Sequence, residues 1–457
     1  MGAQRHPDNP LLALERAFAG FASPGALVRA GGRIVEVSAT HYSVKGLSRH
    51  ACIGDVVEHV GERGRRCGEI VRITPNEVLV APFETTADLG VDMPVFNRGP
   101  MVIAPDATWR GRIINALGQP IDRGPPIING AAPPPSEAVN AMTRQRVDAP
   151  FKTGVRVIDI FTPLCFGQRM GVFAGSGVGK STLLAMLAAA DAFDTAVVAL
   201  VGERGREVRE FIEDTLGPKN LAKTVAVVST SDESAMMRRR APMTAMSVAE
   251  YFRDRGDRVL MIVDSVTRFA HALREVATAA GEPPIARGYP ASVFTELPKL
   301  LERAGPGSGE TAGSITAIIS VLVDGDDHND PVADSVRGIL DGHVVLDRSI
   351  AEQGRYPPVN PLSSISRLAN RAWAGDERAL VARLKAMISR FEDTRDIRLL
   401  GAYSAGSDLD LDLAVKQVPL IYEALAQSPG DPKTRDPFGD LARHLKSREA
   451  PNGREAA

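Results

Sequence analysis

The spacing of apolar positions changes several times along the chain. In residues 10–21, PLLALERAFAGF, Leu11, Leu14, Phe18 and Phe21 fall on one helical face. A short helix over residues 1–23 is therefore expected, either packed on its own domain or docked on a partner. From 24 to 95 the period shortens to that of strands. ALVRA, RIVEVSA, CIGDVVEHV, GEIVRI and EVLVAPF are separated by Gly-containing turns, which predicts a small β-barrel domain. Residues 96–150 are rich in Gly and Pro and read as a linking segment. Between about 151 and 350, RMGVFA, AVVALV, TVAVVS, RVLMIVD, ITAIISVLV and HVVL alternate with helical patterns. Near-continuous apolar runs of this kind predict a largely parallel sheet covered on both faces. Beyond 375 helical patterns such as DERALVARLKAMISRFED dominate, giving a helical region over 376–440. The polar residues 441–457 read as a loose tail.

Composition narrows the function classes. The 457 residues carry 54 basic and 56 acidic side chains, a net charge of -2, so no overall field draws nucleic acid to the chain. A barrel can bind oligonucleotides, but Tyr42 and Phe83 are almost the only aromatics of 24–95, and the stacking platform of single-strand binders is missing. Nucleic acid is not an expected partner. Cys52, Cys67 and Cys165 have no zinc-site spacing and form no disulfide framework, as suits a reducing cytosol. No signal peptide and no span of roughly 20 apolar residues is visible, so a cytoplasmic protein is expected, held at a membrane only through partners.

The strongest chemical signal is AGSGVGKST, Ala174 to Thr182, between the strand RMGVFA and the helix TLLAMLAAA. Gly175, Ser176, Gly177, Val178 and Gly179 can turn backbone N–H groups inward around phosphate oxygens, and the helix start adds a field that favours anions. In this pattern Lys180 reaches the β- and γ-phosphates, and the hydroxyl of Ser181, followed by Thr182, binds Mg²⁺. Ala174 departs from the strict motif, which begins with Gly, but a strand end tolerates any small residue. The apolar strand RVLMIVD ends in Asp264, placed to hold Mg²⁺ through water. AVVALV runs into GERGREV, which puts Glu203 and Arg204 at a strand C-terminus. In open α/β sheets that edge holds the ligand. From the residues alone, Glu203 either orients an attacking water or joins a solvated charge cluster with Arg204, Arg206 and Glu207.

AGSGVGKST, GERGREV, DSVTRFA, RGYPASVFTELPKLLERAG and RYPPVNPLSSISR occur together and in this order. With them the chain resembles the catalytic subunits of rotary ATPases and, much more closely, the type III secretion ATPases, of which the flagellar export ATPases match best. Matching segments run from about 24 to 425. The resemblance implies a RecA-like P-loop NTPase core over 96–375, with an N-terminal β-barrel and a C-terminal helical domain. It also implies a role for each matching residue. Glu203 polarises water and Arg204 is its neighbouring arginine. Arg268 lies near the γ-phosphate, Tyr356 packs on adenine, and Arg367 is an arginine finger reaching a neighbour's site. Guanidinium groups suit a transferring phosphoryl and a planar ring suits a base.

Non-catalytic rotary subunits carry Gln where Glu203 stands, so an active enzyme is expected. Ser181 and the GAY-x-x-G-x-D pattern within Leu399 to Asp412 favour an export ATPase over the ATP synthase catalytic subunit. A Rho-like RNA translocase fits less well. Injectisome ATPases of virulence secretion are the nearest alternative to the flagellar branch. The resemblance further implies MgATP, a homohexameric ring, a regulatory stator-like subunit on the N-terminal helix, and a coiled-coil stalk protein in the pore near Asp408, Asp410 and Asp412. An export gate, chaperones and export substrates complete the implied partners, and the ring would be peripheral at the inner membrane.

Overall fold

The computed structural model describes residues 29–449 apart from 62–63, 85, 87, 132–141, 148, 310 and 324–329. The expected N-terminal docking helix lies outside the described residues. Contacts divide the chain into two compact units, one of residues 1–101 with 276–281, the other holding the rest.

In the first unit, strands β1 (Gly31–Val37), β2 (Tyr42–Lys45), β3 (Asp55–Gly61), β4 (Gly64–Ile73), β5 (Glu77–Pro82) and β6 (Pro94–Pro100) close into a barrel in the order β1-β2-β5-β4-β3-β6. Its interior is aliphatic. Ile34, Val44, Val57, Ile70, Val78, Val80 and Val95 are fully buried. Closure pairs β1 with β6 through Gly31–Phe96, Gly32–Val95 and Arg33–Pro94, leaving no free sheet edge. The barrel therefore runs to Pro100, past the expected boundary at 95, because its closing strand PVFNRGP ends in Arg, Gly and Pro and reads as a linker.

The second unit is built on a long sheet. Its strands are β7 (Ile113–Asn115), β8 (Arg169–Ala174), β9 (Thr195–Glu203), β10 (Thr224–Thr230), β11 (Arg258–Asp264), β12 (Ser314–Leu322), β13 (Gly342–Leu346) and β14 (Ile365–Ser366). The order of these eight is β14-β13-β8-β12-β11-β9-β10-β7, parallel throughout except for β14, and a ninth, two-residue strand at Gly305–Pro306 pairs antiparallel with the start of β12. All six strands expected between 151 and 350 form. The near-unbroken apolar runs have their physical cause here: β9 is buried at eight successive residues because helices cover both faces. β7 is an addition, a three-residue strand inside the segment read as a linker, paired with Ala226–Val228.

Helices α1 (Lys180–Ala188), α2 (Ala235–Arg253) and α3 (Val266–Ala279) connect these strands, and α4 (Arg348–Glu352) follows β13. The C-terminal helices α5 (Gly375–Asp393), α6 (Leu409–Leu425) and α7 (Pro437–Glu449) pack against the same core. Val381, Leu384 and Ile388 of α5, Ala414, Val418 and Ile421 of α6, and Leu441 of α7 join one cluster with Ile158 and Leu184. The helix α7 crosses the expected start of the loose tail at 441, since Leu441 is buried and anchors it.

Candidate functional site

β8 is buried to its last residue and delivers the chain to a loop at the carboxyl end of the sheet. Gly177 and Gly179 take φ of 75° and 97°, a left-handed conformation that glycine adopts without strain. Nothing lies within 4 Å of where a Cβ on Gly177 would stand, so the loop encloses open space. Helix α1 starts at Lys180, and its cap residue Gly179 supplies no side-chain acceptor for the first N–H groups. Ser181 and Thr182 are exposed on that first turn. Unsatisfied N–H donors around a glycine-lined hollow fit phosphate oxygens.

Below the loop three charged side chains converge. Lys180 Nζ is hydrogen-bonded to Oδ1 of the buried Asp264 and lies 3.8 Å from Glu203 Oε1. The strands set this geometry. β9 and β11 are parallel neighbours with Leu200 level with Asp264, so Glu203 projects three residues further along the same edge. Ser320 of β12, fully buried, donates its hydroxyl to Asp264 Oδ1 at 2.9 Å. Burial pushes the Glu203 carboxyl well above the ordinary glutamate range. Asp264 and a hydrogen bond with Glu207 push the same way, while Lys180 and Arg268 oppose them. Glu203 Oε1 is buried with no hydrogen-bond partner. One lysine thus balances two carboxylates, an arrangement that a bound nucleotide with a divalent cation would complete. Among the described residues no cluster of three His, Cys, Asp or Glu could hold a metal alone.

Arg268 stands on the first turn of α3, its backbone N–H 3.4 Å from Ser265 Oγ. Its Cβ would be 3.2 Å from a Cβ on Gly202, the residue before Glu203, and Gly202 has φ of 70°. Arg268 Nε is buried without a partner. Arg204 is different: its side chain is 80% exposed and pairs with Glu207 at 3.3 Å. Arg204 therefore turns away from the convergent group.

Tyr356 is half-exposed, and its ring edge would lie 3.8 Å from a Cβ on Gly179. It borders a cleft lined also by Val157, Ile350, Arg355, Tyr422 and Ala426. The Arg355 guanidinium stacks 3.8 Å from the Tyr422 ring centre, and Tyr422 donates its hydroxyl to Glu392 Oε1 at 2.5 Å. The backbone N–H of Gln427 fixes the Tyr356 carbonyl at 2.8 Å. Arg355, Tyr422, Gln427 and Ser320 were not among the sequence candidates. Arg355 adjoins Tyr356 in the signature and could have been found there. Tyr422 lies on α6 and Gln427 just past its end, far along the chain and with no local signal.

Arg367 is brought elsewhere. β14 runs antiparallel to β13, with Ser366 opposite Gly342, and Arg367 N–H donates to Asp341 O at 2.9 Å. β13 itself runs parallel to β8, from His343 beside Gly171 to Leu346 beside Ala174. Arg367 therefore sits at the amino end of these strands, exposed, whereas the phosphate loop leaves their carboxyl end. The segment Gly401 to Asp412 leads into the first turn of α6. Asp408 caps α6 by accepting from Asp410 and Leu411 N–H groups and pairs with Arg390. Asp412 accepts from Tyr403 Oη and Gly406 N.

The nucleotide-binding domain of the ATP synthase alpha/beta family matches residues 154–366, and the T3SS EscN ATPase C-terminal domain matches 373–440. The flagellum-specific ATP synthase of Rhizobium meliloti (strain 1021) is 62% identical over 96% of this chain and 94% of its own length. The chain belongs to the flagellum-specific ATP synthases, within the ATP synthase alpha/beta family. A type 3 secretion system ATPase of Xanthomonas euvesicatoria is 41% identical over 92% of the chain and 94% of its own. Among solved structures, the assembled ATPase EscN in complex with its central stalk EscO, from the enteropathogenic E. coli type III secretion system, superposes with a TM-score of 0.81. It is 38% identical and covers 91% of this chain and 100% of that one. The fold and relatives together define an ATP-hydrolysing enzyme of type III protein export, and the higher identity falls on the flagellar side. No helix among the described residues is long and apolar enough to cross a membrane.

Proposed function

We propose that this chain hydrolyses MgATP in a homohexameric ring that energises the unfolding and export of flagellar proteins. The observation that carries the reading is the convergence of Lys180, Asp264 and Glu203 beneath the glycine loop. Lys180 and the N–H groups of Gly175 to Thr182 hold the phosphates. Ser181 directly, and Asp264 through water, hold Mg²⁺, which supplies charge neutralisation on the phosphate oxygens. Glu203, whose buried Oε1 has no hydrogen-bond partner, orients the attacking water. Arg268 faces the γ-phosphate, with Arg204 beside Glu203 at the rim. The half-exposed ring of Tyr356 stacks on adenine.

Arg367, too far along the sheet for its own site, reaches a neighbour's, which makes the ring a requirement of the chemistry. EscN is solved with a central stalk. We extend that arrangement to this chain, with the stalk near the 401–412 segment. Residues 1–23 dock a stator-like regulator. Chaperones, export substrates and the export gate complete the assembly at the cytoplasmic face of the inner membrane. An injectisome role is the second reading, favoured by the EscN likeness and the type 3 secretion system ATPase of Xanthomonas euvesicatoria. Deleting the gene separates the two: loss of flagella supports the first, loss of effector secretion with intact flagella the second. For the chemistry, Lys180→Ala is expected to lose ATPase activity through weakened phosphate binding. Glu203→Gln is expected to bind MgATP normally and turn it over at least 100-fold more slowly, on the order expected for a water-activating group. A normal rate in Glu203→Gln removes the carboxylate from catalysis.

A further inference from the structure

The phosphate loop is also held from outside. Arg348, the first residue of α4, donates from Nη2 to the carbonyl oxygen of Ser176 at 3.1 Å. The peptide joining Ser176 to Gly177 is trans, so its C=O and N–H point in opposite directions. A carbonyl drawn toward Arg348 turns the Gly177 N–H away from Arg348. Gly177 has no side chain to fix that peptide, and nothing lies within 4 Å of where a Cβ would stand, so no side-chain packing at Gly177 sets the orientation.

Arg348 is itself placed by a braced turn. Asp347 Oδ1 accepts from Ser349 N and Oγ at 2.9 and 2.7 Å, and Oδ2 accepts from Asn360 Nδ2 at 3.1 Å. Asp347 N–H donates to Pro358 O at 2.9 Å. Pro358 and Tyr356 in turn border Gly179. The segment from Asp347 to Asn360 thus meets the phosphate loop at two points, Ser176 and Gly179.

We propose that Arg348 is a positioning residue for the phosphate loop, holding the 176–177 peptide so that Gly177 N–H faces the bound polyphosphate. The inference rests on the loop holding nucleotide phosphates. A second contribution is long-range: one more cation next to a polyanion.

The test is calorimetric binding of MgATP, MgADP and AMP to the full chain, as wild type, Arg348→Ala and Arg348→Lys, with steady-state kinetics alongside. Wild type is expected to bind MgATP more tightly than AMP; without that preference the phosphate-loop reading itself fails. Given the preference, Arg348→Ala is expected to lose roughly tenfold in MgATP and MgADP affinity, with AMP unchanged. KM should rise and kcat change little. Arg348→Lys, which keeps the charge and one donor, is expected to recover part of the loss. Unchanged MgATP affinity in Arg348→Ala overturns the proposal. So does an equal loss for AMP, which would mean a pocket displaced as a whole. If Arg348→Ala does not fold, Arg348→Gln, which removes the charge and keeps the stem, is judged by the same two criteria.

Discussion

Arg367 donates its backbone N–H to Asp341 O at 2.9 Å, and this bond ties it to the amino end of β13 while the phosphate loop adjoins the carboxyl end. The five-residue strand between them spans roughly 13 Å. A guanidinium leaving the sheet at that end does not return to its own Lys180, so the finger role proposed for it requires another subunit. An arginine supplied in trans is worth about 10³–10⁵ in rate. Specific activity should therefore rise with protein concentration as rings form, and Arg367→Ala should flatten that rise without preventing assembly. Rings mixed from Arg367→Ala and Lys180→Ala subunits, each inactive alone, should regain activity at interfaces that pair an intact loop with an intact finger. Confirmed mixed rings without recovery would place Arg367 outside catalysis.

Ser320 offers a finer probe of the same edge. Its hydroxyl donates to Asp264 Oδ1 at 2.9 Å and is fully buried, so it fixes the carboxylate that Lys180 otherwise pulls upon. Ser320→Ala removes about 1 kcal/mol of orienting interaction. The apparent Mg²⁺ requirement for hydrolysis should rise severalfold. Metal-free nucleotide binding should stay as in wild type. A Mg²⁺ titration of the rate, set beside nucleotide binding in chelator, checks both.

How much of this was legible in the sequence depended on the range of each signal. The glycine loop, Asp264 and the six buried strands declare themselves within ten residues, because a strand covered on both faces must be apolar throughout. β7 could not be seen: Ile113–Asn115 is too short to show a period, and its pairing with Ala226–Val228 is fixed by residues over 100 positions away. Ser320 sits within the apolar run ITAIISVLV with no local signal of its role, because its partner Asp264 lies on a neighbouring strand. Asp408, Asp410 and Asp412 alternate with leucines in the sequence, but a helix cap and a helical first turn place them. Arg355 and Tyr422 meet across the cleft only after α6 packs on the core.

A pH-dependent contribution to stability comes from the start of β7. Arg112 grips Asp122 through Nε and Nη2, and Ile113 and Gly124 N–H groups also donate to that carboxylate. The hydrogen bond from Arg112, the largest cause, and those from the backbone hold the Asp122 carboxyl down to about 2. The folded pKa lies below the unfolded one. The stabilisation is therefore complete above the ordinary aspartate range and is lost as pH falls through about 2. Asp122→Asn should destabilise by about 1–2 kcal/mol at neutral pH. The gap in thermal midpoint should be constant from pH 5 to 8 and narrow only below about pH 4. A gap that closes between pH 6 and 8 would assign the effect to another group.

The three aspartates near the tip of the α5–α6 hairpin should separate cleanly. Asp408 is spent on capping α6 and on Arg390, and Asp412 on Tyr403 Oη and Gly406 N, so both shape the turn from within. Asp410 is exposed on the first turn of α6. If a stalk protein is read by charge at this tip, Asp410 is the residue free to meet it. Asp410→Asn should then weaken stalk-dependent stimulation and leave unstimulated hydrolysis and stability as they were. Asp408→Ala should instead lower stability by about 0.5–2 kcal/mol, the usual cost of a lost helix cap, whether or not a stalk is present. Asp412→Asn should loosen the 403–406 turn in the same stalk-independent way. Measuring stimulation by the purified stalk protein and thermal midpoints for all three variants distinguishes the roles. Undiminished stimulation in Asp410→Asn would mean that the stalk grips the tip through something other than its free carboxylate. The exposed side chains of Leu399, Leu400 and Leu409, each more than 75% exposed, would then be the next positions to truncate.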